Sequence, residues 1–208
     1  MKGNTKMMTW LNEISTGCTI YATMIPAVAL TILIRDIKNK SFNIARFLLD
    51  FMFVAYMMIV ISLVFFPLPD AKEAAKLCGY SGRFIPFVFI KDIAKDRSLS
   101  SVLQVLFNVV MTIPFGAYLT YRFGFSKKQV LVYSVSLTLF IEIGQLTGLF
   151  FIFKGSYRLF DVDDLILNTL GGFIGYVIIT KLSSKLRTLE SFEYKKKVVE
   201  RVAFNYHY

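Results

Sequence analysis

One carboxyl group stands inside a long apolar run of this sequence. Glu142 shares a helical face with Ser134, Thr138 and Gln145, which follow the spacing i, i+4, i+8 and i+11. An ionisable residue in a membrane span costs on the order of 2.5–3.5 kcal/mol and usually faces the interior of a helix bundle. A buried carboxyl can act as a general acid or base, or pair with a polar neighbour. We therefore expect a functional or pairing role for Glu142, whereas Ser134 and Thr138 are more typical of hydrogen bonding between helices.

A second polar group opens the next apolar run. Asp161, Asp164 and Asn168 share a helical face, Asp163 lies among them, and Arg158 precedes them as the expected counter-ion. Two interpretations stay open. Asp161 caps the helix with Asp164 at its third position, or the carboxylates hold a divalent cation. Because the sequence offers no further ligands, we predict neither a metal ion nor a cofactor.

Two other features concern helix packing near these groups. Asn108 lies in the run before that of Glu142, and Pro114 in the same run frees a backbone carbonyl one turn earlier. Gly171, Gly172 and Gly175 form a small-residue face that permits close approach of another helix. We assign Pro114 and the three glycines to helix packing, and Asn108 to the candidate polar site.

Long apolar runs are the elements that must position these side chains. The chain has 208 residues, of which 55% are apolar, and its mean hydropathy is +0.56. Runs near or above 20 apolar residues are long enough to cross a bilayer as helices. We predict an all-α polytopic membrane helical bundle of about five transmembrane helices, in a single domain over residues 1–180 followed by a basic cytoplasmic tail over 181–208. The predicted spans are 16–34, 47–68, 102–121, 130–153 and 159–180.

The net charge of +10 would suggest nucleic acid binding in a soluble protein, but here Lys and Arg flank the spans, so no nucleic acid partner is expected. One side of a five-span topology holds 14 of these cations and the other 10. This predicts an external N-terminus and a cytoplasmic C-terminus.

The second and fourth loops then share one side. The second contains an apolar stretch over residues 82–90, interrupted by Pro86, that suits an interfacial or re-entrant segment.

Three segments carry a family resemblance by their order and spacing. They are residues 108–116, with Asn108 and Pro114, residues 141–145, with Glu142 and Gln145, and residues 158–175. The last reads Arg-Leu-Phe-Asp-Val-Asp-Asp-Leu-Ile-Leu-Asn-Thr-Leu-Gly-Gly-Phe-Ile-Gly. Together they resemble the VanZ-like membrane protein family, over about residues 46–180. The resemblance implies functional importance for Asn108, Pro114, Glu142, Gln145, Arg158, Asp161, Asp164 and Asn168.

The name-giving member of that family is associated with low-level resistance to the glycopeptide teicoplanin. The resemblance therefore implies a role in antibiotic resistance at the bacterial cell envelope and a location in the cytoplasmic membrane. Our first hypothesis is a non-enzymatic protein that reduces access or binding of a lipoglycopeptide. An intramembrane enzyme acting on a lipid-linked substrate and a small transporter or flippase are the alternatives. The only histidine is the penultimate residue, His207, which argues against catalysis by an internal histidine.

The expected partners are membrane lipids, together with the lipoglycopeptide antibiotic itself or a lipid-linked peptidoglycan precursor. The sequence does not name the ligand or the oligomeric state. It also does not decide between binding, catalysis and transport.

Overall fold

Helices make up most of the chain in a computed structural model that describes residues 24, 26–38, 43–96, 98–183 and 185. The start of the first predicted span lies outside these described residues. Nearly all of the predicted basic tail also lies outside them. The described residues fall in two compact units, with 24, 26–38, 43–63 and 185 in the first, and 64–96 and 98–183 in the second. The prediction of a single domain over residues 1–180 stays a prediction.

The first unit holds residues 26–38 (α1) and most of helix Ile44–Phe65 (α2), whose last two residues belong to the second unit. The side chain of Asn43 caps α2 by accepting hydrogen bonds from the main-chain amides of Ala45 and Arg46. Arg35 in α1 donates to the buried carboxylates of Asp36 at 3.0 Å and Asp50 at 2.8 Å. The pair of Arg35 with Asp50 joins α1 to the first turns of α2.

The second unit contains the remaining elements. In chain order they are Ala71–Ala74 (α3), Gly82–Arg83 (β1), Val88–Asp96 (α4), Leu99–Phe123 (α5), Lys127–Leu146 (α6), Gly148–Phe151 (α7), Phe160–Asp161 (β2) and Val162–Leu182 (α8). Helices α5, α6 and α8 form a bundle in which α8 packs against both of the others. Buried residues of α5 and α8 line their mutual contact, and the polar stripe of α6 faces inward.

Four of the described helices, α2, α5, α6 and α8, are long and apolar enough to cross a membrane. The all-α polytopic fold class is therefore confirmed, and the protein is a multi-pass membrane protein. The number differs slightly from the predicted five, because only part of the first predicted span falls within the described residues. The second, third and fifth predicted spans each differ from the observed helix by a few residues at an end.

The predicted fourth span, 130–153, is wrong at its carboxyl end, because α6 stops at Leu146. The chain then makes a left-handed turn, with positive φ angles from Gly148 through Phe151. A Cβ on Gly148 would meet the carbonyl oxygens of Gly155 and Phe153, so only glycine fits this close return of the chain. The apolar residues after Gly148 resemble a continuing span in composition, but they form the tip of a tight turn.

Candidate functional site

Two loops meet at the amino-terminal end of α8. Strands β1 and β2 pair in parallel, which sets Gly82 beside Phe160 and Arg83 beside Asp161. A further parallel bridge joins Gly79 to Gly155. This confirms that the second and fourth loops lie on the same side, and it brings the apolar segment 82–90 against the start of the last helix.

Arg83 is the cation at this junction. Its guanidinium lies 2.5 Å from the buried carboxylate of Asp161 and 2.6 Å from that of Asp92 in α4. Burial acts to lower the pKa of Arg83, but the hydrogen bonds to Asp92 and Asp161 outweigh it and hold that pKa above its ordinary value. The arginine therefore stays charged and ties β1 to both β2 and α4.

The expectation that Arg158 is the counter-ion of the acids is wrong. Its guanidinium donates to the carbonyl oxygen of Phe66 at 2.5 Å. The neighbouring carbonyls of Phe65 and Val64 accept from Tyr157 at 3.1 Å and from Gln145 at 2.8 Å. The last carbonyls of a helix lack intrahelical partners, and a positive charge there complements the helix dipole.

Three side chains thus cap the carboxyl end of α2, and two of the predicted site residues, Gln145 and Arg158, belong to this cap. Burial raises the pKa of the Tyr157 phenol, which keeps its hydroxyl group protonated as a donor to Phe65.

Asp161 has two roles at the start of α8. One oxygen accepts from the main-chain amide of Asp163 at 3.0 Å, which makes Asp161 the N-cap of the helix as one interpretation of the sequence proposed. The other oxygen accepts from Arg83. Its own main-chain amide donates to Glu142 Oε2 at 2.9 Å. The carboxyl group of Glu142, with only 1% of the residue exposed, therefore fixes the entry of the chain into α8.

Asp163 is one of the residues that sequence reasoning left out of the site. It is 1% exposed, and its two oxygens accept from the main-chain amides of Phe87 at 2.5 Å and Phe89 at 2.9 Å. Phe87 has a positive φ of 64°, which turns the chain into α4 at this point. One carboxylate of α8 thus holds the first amides of α4, in the way an N-cap side chain would.

The remaining predicted residues join α5 and α6 to α8. The amide of Asn108 in α5 donates to the carboxylate of Asp164. Buried Asn168 donates to Thr138 Oγ1 in α6 at 3.3 Å, and its main-chain carbonyl accepts from Thr112 in α5 at 2.7 Å. Polar contacts therefore join the three helices, and they are formed by Asn108, Thr112, Thr138, Asp164 and Asn168.

Glycines allow these helices to touch. A Cβ on Gly116 would overlap the carbonyl of Gly172, and one on Gly171 or Gly175 would overlap main-chain atoms of α5. Pro114, which the sequence grouped with the glycines, is instead exposed on the outer side of α5. The close approach explains how short side chains such as Asn108 and Thr112 reach α8.

A cavity of about 170 Å³ lies between α4, α5 and the start of α8. Phe89, Ile93, Val105 and Leu167 supply its apolar lining. Its polar lining carries four aspartates and one arginine, together with amide and hydroxyl groups: Arg83, Asp92, Ser101, Gln104, Asn108, Asp161, Asp163 and Asp164. Several of these residues are partly exposed, so the cavity is reachable from outside the protein. Within the described part of the chain, no group of three or more His, Cys, Asp or Glu is arranged to hold a metal ion.

The model of the VanZ/LLP1 family matches residues 53–183. The chain belongs to the VanZ/LLP1 family. Neither a curated protein nor a solved structure matches it. The matched segment includes every residue of the cavity, the cap on α2 and the glycine contacts of α5 with α8. The resemblance inferred from the three sequence segments is therefore confirmed.

Arg83, Asp92 and Asp163 are the site residues that sequence reasoning missed. The sequence contained a weak signal for Arg83, because Arg83 is the only charged residue of the apolar stretch 82–90. The loop that contains this stretch was also predicted to lie on the same side as the acids. Asp92 lies just beyond the apolar stretch in the same loop, where no sequence pattern set it apart. Asp163 lay off the face shared by Asp161 and Asp164, and its partners are main-chain amides that leave no mark in the sequence.

Proposed function

We propose that this protein contributes to bacterial resistance against glycopeptide and lipoglycopeptide antibiotics such as teicoplanin, acting at the cytoplasmic membrane without chemical modification of the drug. Membership of the VanZ/LLP1 family supports the resistance role. The cavity beside Arg83 supports a binding mechanism, because it is a partly polar recess at one end of membrane-crossing helices. With a cytoplasmic C-terminus, that end faces outward, where glycopeptides and lipid-linked wall precursors meet.

The size of the cavity limits what it binds. About 170 Å³ has room for a handful of water molecules, so it accepts one polar group of a larger molecule and not a whole glycopeptide. Its apolar residues Phe89 and Ile93 lie beside the charged ones, which suits a headgroup attached to a chain. We infer that the protein engages a polar group of a lipid-anchored precursor or of the drug, and thereby lowers access of the drug to its target.

The hydrogen bonding of the acids favours binding over catalysis. Asp161 is engaged by Arg83 and by the main chain of α8, and Asp163 by two main-chain amides. Glu142 accepts from the main chain of Asp161. Carboxylates held in this way orient the polypeptide, whereas a general acid or base must be free to reach a substrate.

One observation favours the intramembrane enzyme as a second candidate. Asp164 is only partly buried, it lines the cavity, and its hydrogen bond is to the side chain of Asn108 and not to the main chain. A carboxyl so placed can meet a group bound in the cavity. A change in lipids or lipid-linked precursors between strains carrying the wild-type protein and Asp164→Asn would support the enzyme. Identical profiles, with resistance lost, would support binding.

A matched pair of arginine variants tests the resistance proposal. A deletion strain is complemented with the wild-type gene, with Arg83→Gln or with Arg158→Gln, and the minimal inhibitory concentrations of teicoplanin and vancomycin are measured. We expect deletion to lower the teicoplanin value and to leave that of vancomycin almost unchanged. Arg83→Gln should behave like the deletion, because it leaves Asp161 and Asp92 without their counter-ion. Arg158→Gln should retain resistance, because Arg158 bonds to the main chain of Phe66 and does not line the cavity.

The abundance of each variant in the membrane is measured by immunoblotting, so that loss of the protein is separated from loss of the site. Full teicoplanin resistance with Arg83→Gln at wild-type abundance would contradict a role for the cavity. An unchanged teicoplanin value on deletion would contradict the resistance function itself.

A further inference from the structure

Two loop tips of the second unit expose large apolar side chains outside the membrane-crossing helices. The first tip is formed by Phe84 and Ile85, which are 64% and 70% exposed. The second is formed by Phe151 and Ile152, which are 72% and 71% exposed. Contiguous exposed apolar residues in loops indicate a contact with a partner or with lipid.

Both tips lie at the same end of the bundle. Phe84 stacks on Phe160, the first residue of β2, with ring centroids 5.1 Å apart, and β2 leads directly into α8. The second tip follows the carboxyl end of α6 and returns through Gly155, which bridges to Gly79. Both tips therefore lie at the end of the bundle where α6 finishes and α8 begins.

The length of α8 indicates where this end of the bundle lies relative to the bilayer. Its 21 residues span about 31 Å, which matches the hydrocarbon thickness of a bilayer. The first turn of α8 therefore lies at a membrane boundary. Asp163 in that turn holds the main chain at Phe87 and Phe89, so the first tip is fixed near the same level.

Exposed cations accompany the two tips. Lys91 and Lys95 occupy neighbouring positions on the exposed face of α4, and exposed Lys154 is two residues beyond the second tip. Long basic side chains at a bilayer boundary reach lipid phosphates while apolar neighbours enter the acyl region. Apolar tips flanked by lysines are complementary to a phospholipid surface.

We propose that Phe84, Ile85, Phe151 and Ile152 form one interfacial surface that inserts into the headgroup region of the bilayer. The surface holds this end of the protein among the lipid headgroups, and the cavity beside Arg83 is then reached sideways from the lipid and not from bulk water. The proposal concerns membrane contact alone and holds whether or not the protein acts in resistance.

Tryptophan fluorescence in brominated lipid tests the depth of the interfacial surface. The single native tryptophan is removed by Trp10→Phe, and one tryptophan is introduced by Phe84→Trp or Phe151→Trp in protein reconstituted into phosphatidylcholine vesicles. Ile85→Trp and Ile152→Trp provide a second pair should either of the first variants fail to fold. Leu170→Trp, at an exposed position near the middle of α8, is the control for deep lipid contact.

We expect bromine near the headgroup end of the acyl chain to quench the tip tryptophans more strongly than bromine near the chain terminus. The Leu170→Trp control should show the opposite order. The proposal would be overturned if neither brominated lipid quenched the tip tryptophans and acrylamide quenched them as strongly as it quenches free N-acetyltryptophanamide. That result would place the tips in water. The proposal would also be overturned if neither the brominated lipids nor acrylamide quenched the tip tryptophans and the protein cross-linked as a dimer. That result would make the surface a contact between two copies of the chain.

Discussion

Replacement of Asp163 by asparagine should release α4 from the start of α8. The carboxylate is buried and accepts from two main-chain amides, those of Phe87 and Phe89. Asparagine has nearly the same shape but offers one oxygen and one NH₂ group. One of the two amides must then face a donor instead of an acceptor, and a main-chain amide cannot rotate away as a side-chain amide can.

The magnitude follows from the loss of one hydrogen bond to a charged acceptor. Such a bond contributes about 1.5–3 kcal/mol net. Because each 1.4 kcal/mol changes an equilibrium constant tenfold, local opening of the segment around Phe87 and Phe89 should become roughly 10- to 100-fold more frequent. The hydrogen bonds within α5, α6 and α8 do not use the side chain of Asp163, so the opening of these helices beyond the first turn of α8 should not change.

Hydrogen–deuterium exchange of the protein in lipid nanodiscs measures this directly. Peptides covering Phe87 and Phe89 should exchange faster in Asp163→Asn, while peptides from the middle of α5 keep their wild-type protection. Asp164→Asn is the matched control, because its partner is the side chain of Asn108 and the new asparagine still offers a carbonyl oxygen to it. Equal exchange of the Phe87 and Phe89 amides in wild type and Asp163→Asn would refute the reasoning, as would an equally large effect of Asp164→Asn.

Two further changes probe the bundle. Gly116→Ala places a methyl group on the carbonyl of Gly172, so an overpacking cost of about 1–3 kcal/mol should lower the apparent Tm of the purified protein by about 2–12 °C. Val110→Ala on the exposed face of the same helix should leave the Tm nearly unchanged, and a similar loss in both variants would argue against close packing as the cause. Glu142→Leu should lower stability by about 1–3 kcal/mol, because it leaves the buried amide of Asp161 without an acceptor, whereas Glu142→Gln retains one. Equal losses in thermal unfolding for both Glu142 variants would show that the hydrogen bond is not what makes this residue necessary.

The polar stripe and the helix cap were predictable from the sequence because they depend on local periodicity. Ser134, Thr138, Glu142 and Gln145 fall on one face of any regular helix, and the apolar residues around them require that face to turn inward. Asp161 precedes two acids and an apolar run, which is the usual pattern at the start of a helix. The hairpin between these two helices then brings Glu142 to the main-chain amide of Asp161.

The pairing of charges was not predictable in the same way. Arg83 and Arg158 both precede polar or acidic positions in loops of the same side, and nearness in sequence favoured Arg158. The pairing of β1 with β2 decides the matter, since it sets Arg83 opposite Asp161 and leaves Arg158 at the carboxyl end of α2. The register of two short strands depends on the whole backbone path, which no local pattern records.

What the sequence determined by itself is the class of the protein and the inward faces of α6 and α8, because bilayer thickness and helical periodicity act on every short window of the chain. Only the tertiary structure decided which donor meets which carboxylate. Asp163 acquires its role from the main-chain amides of Phe87 and Phe89, and α6 ends at Leu146 because the chain must return past Gly148. Main-chain donors and close backbone returns are common to all residue types, so their positions become visible only when distant segments are brought together.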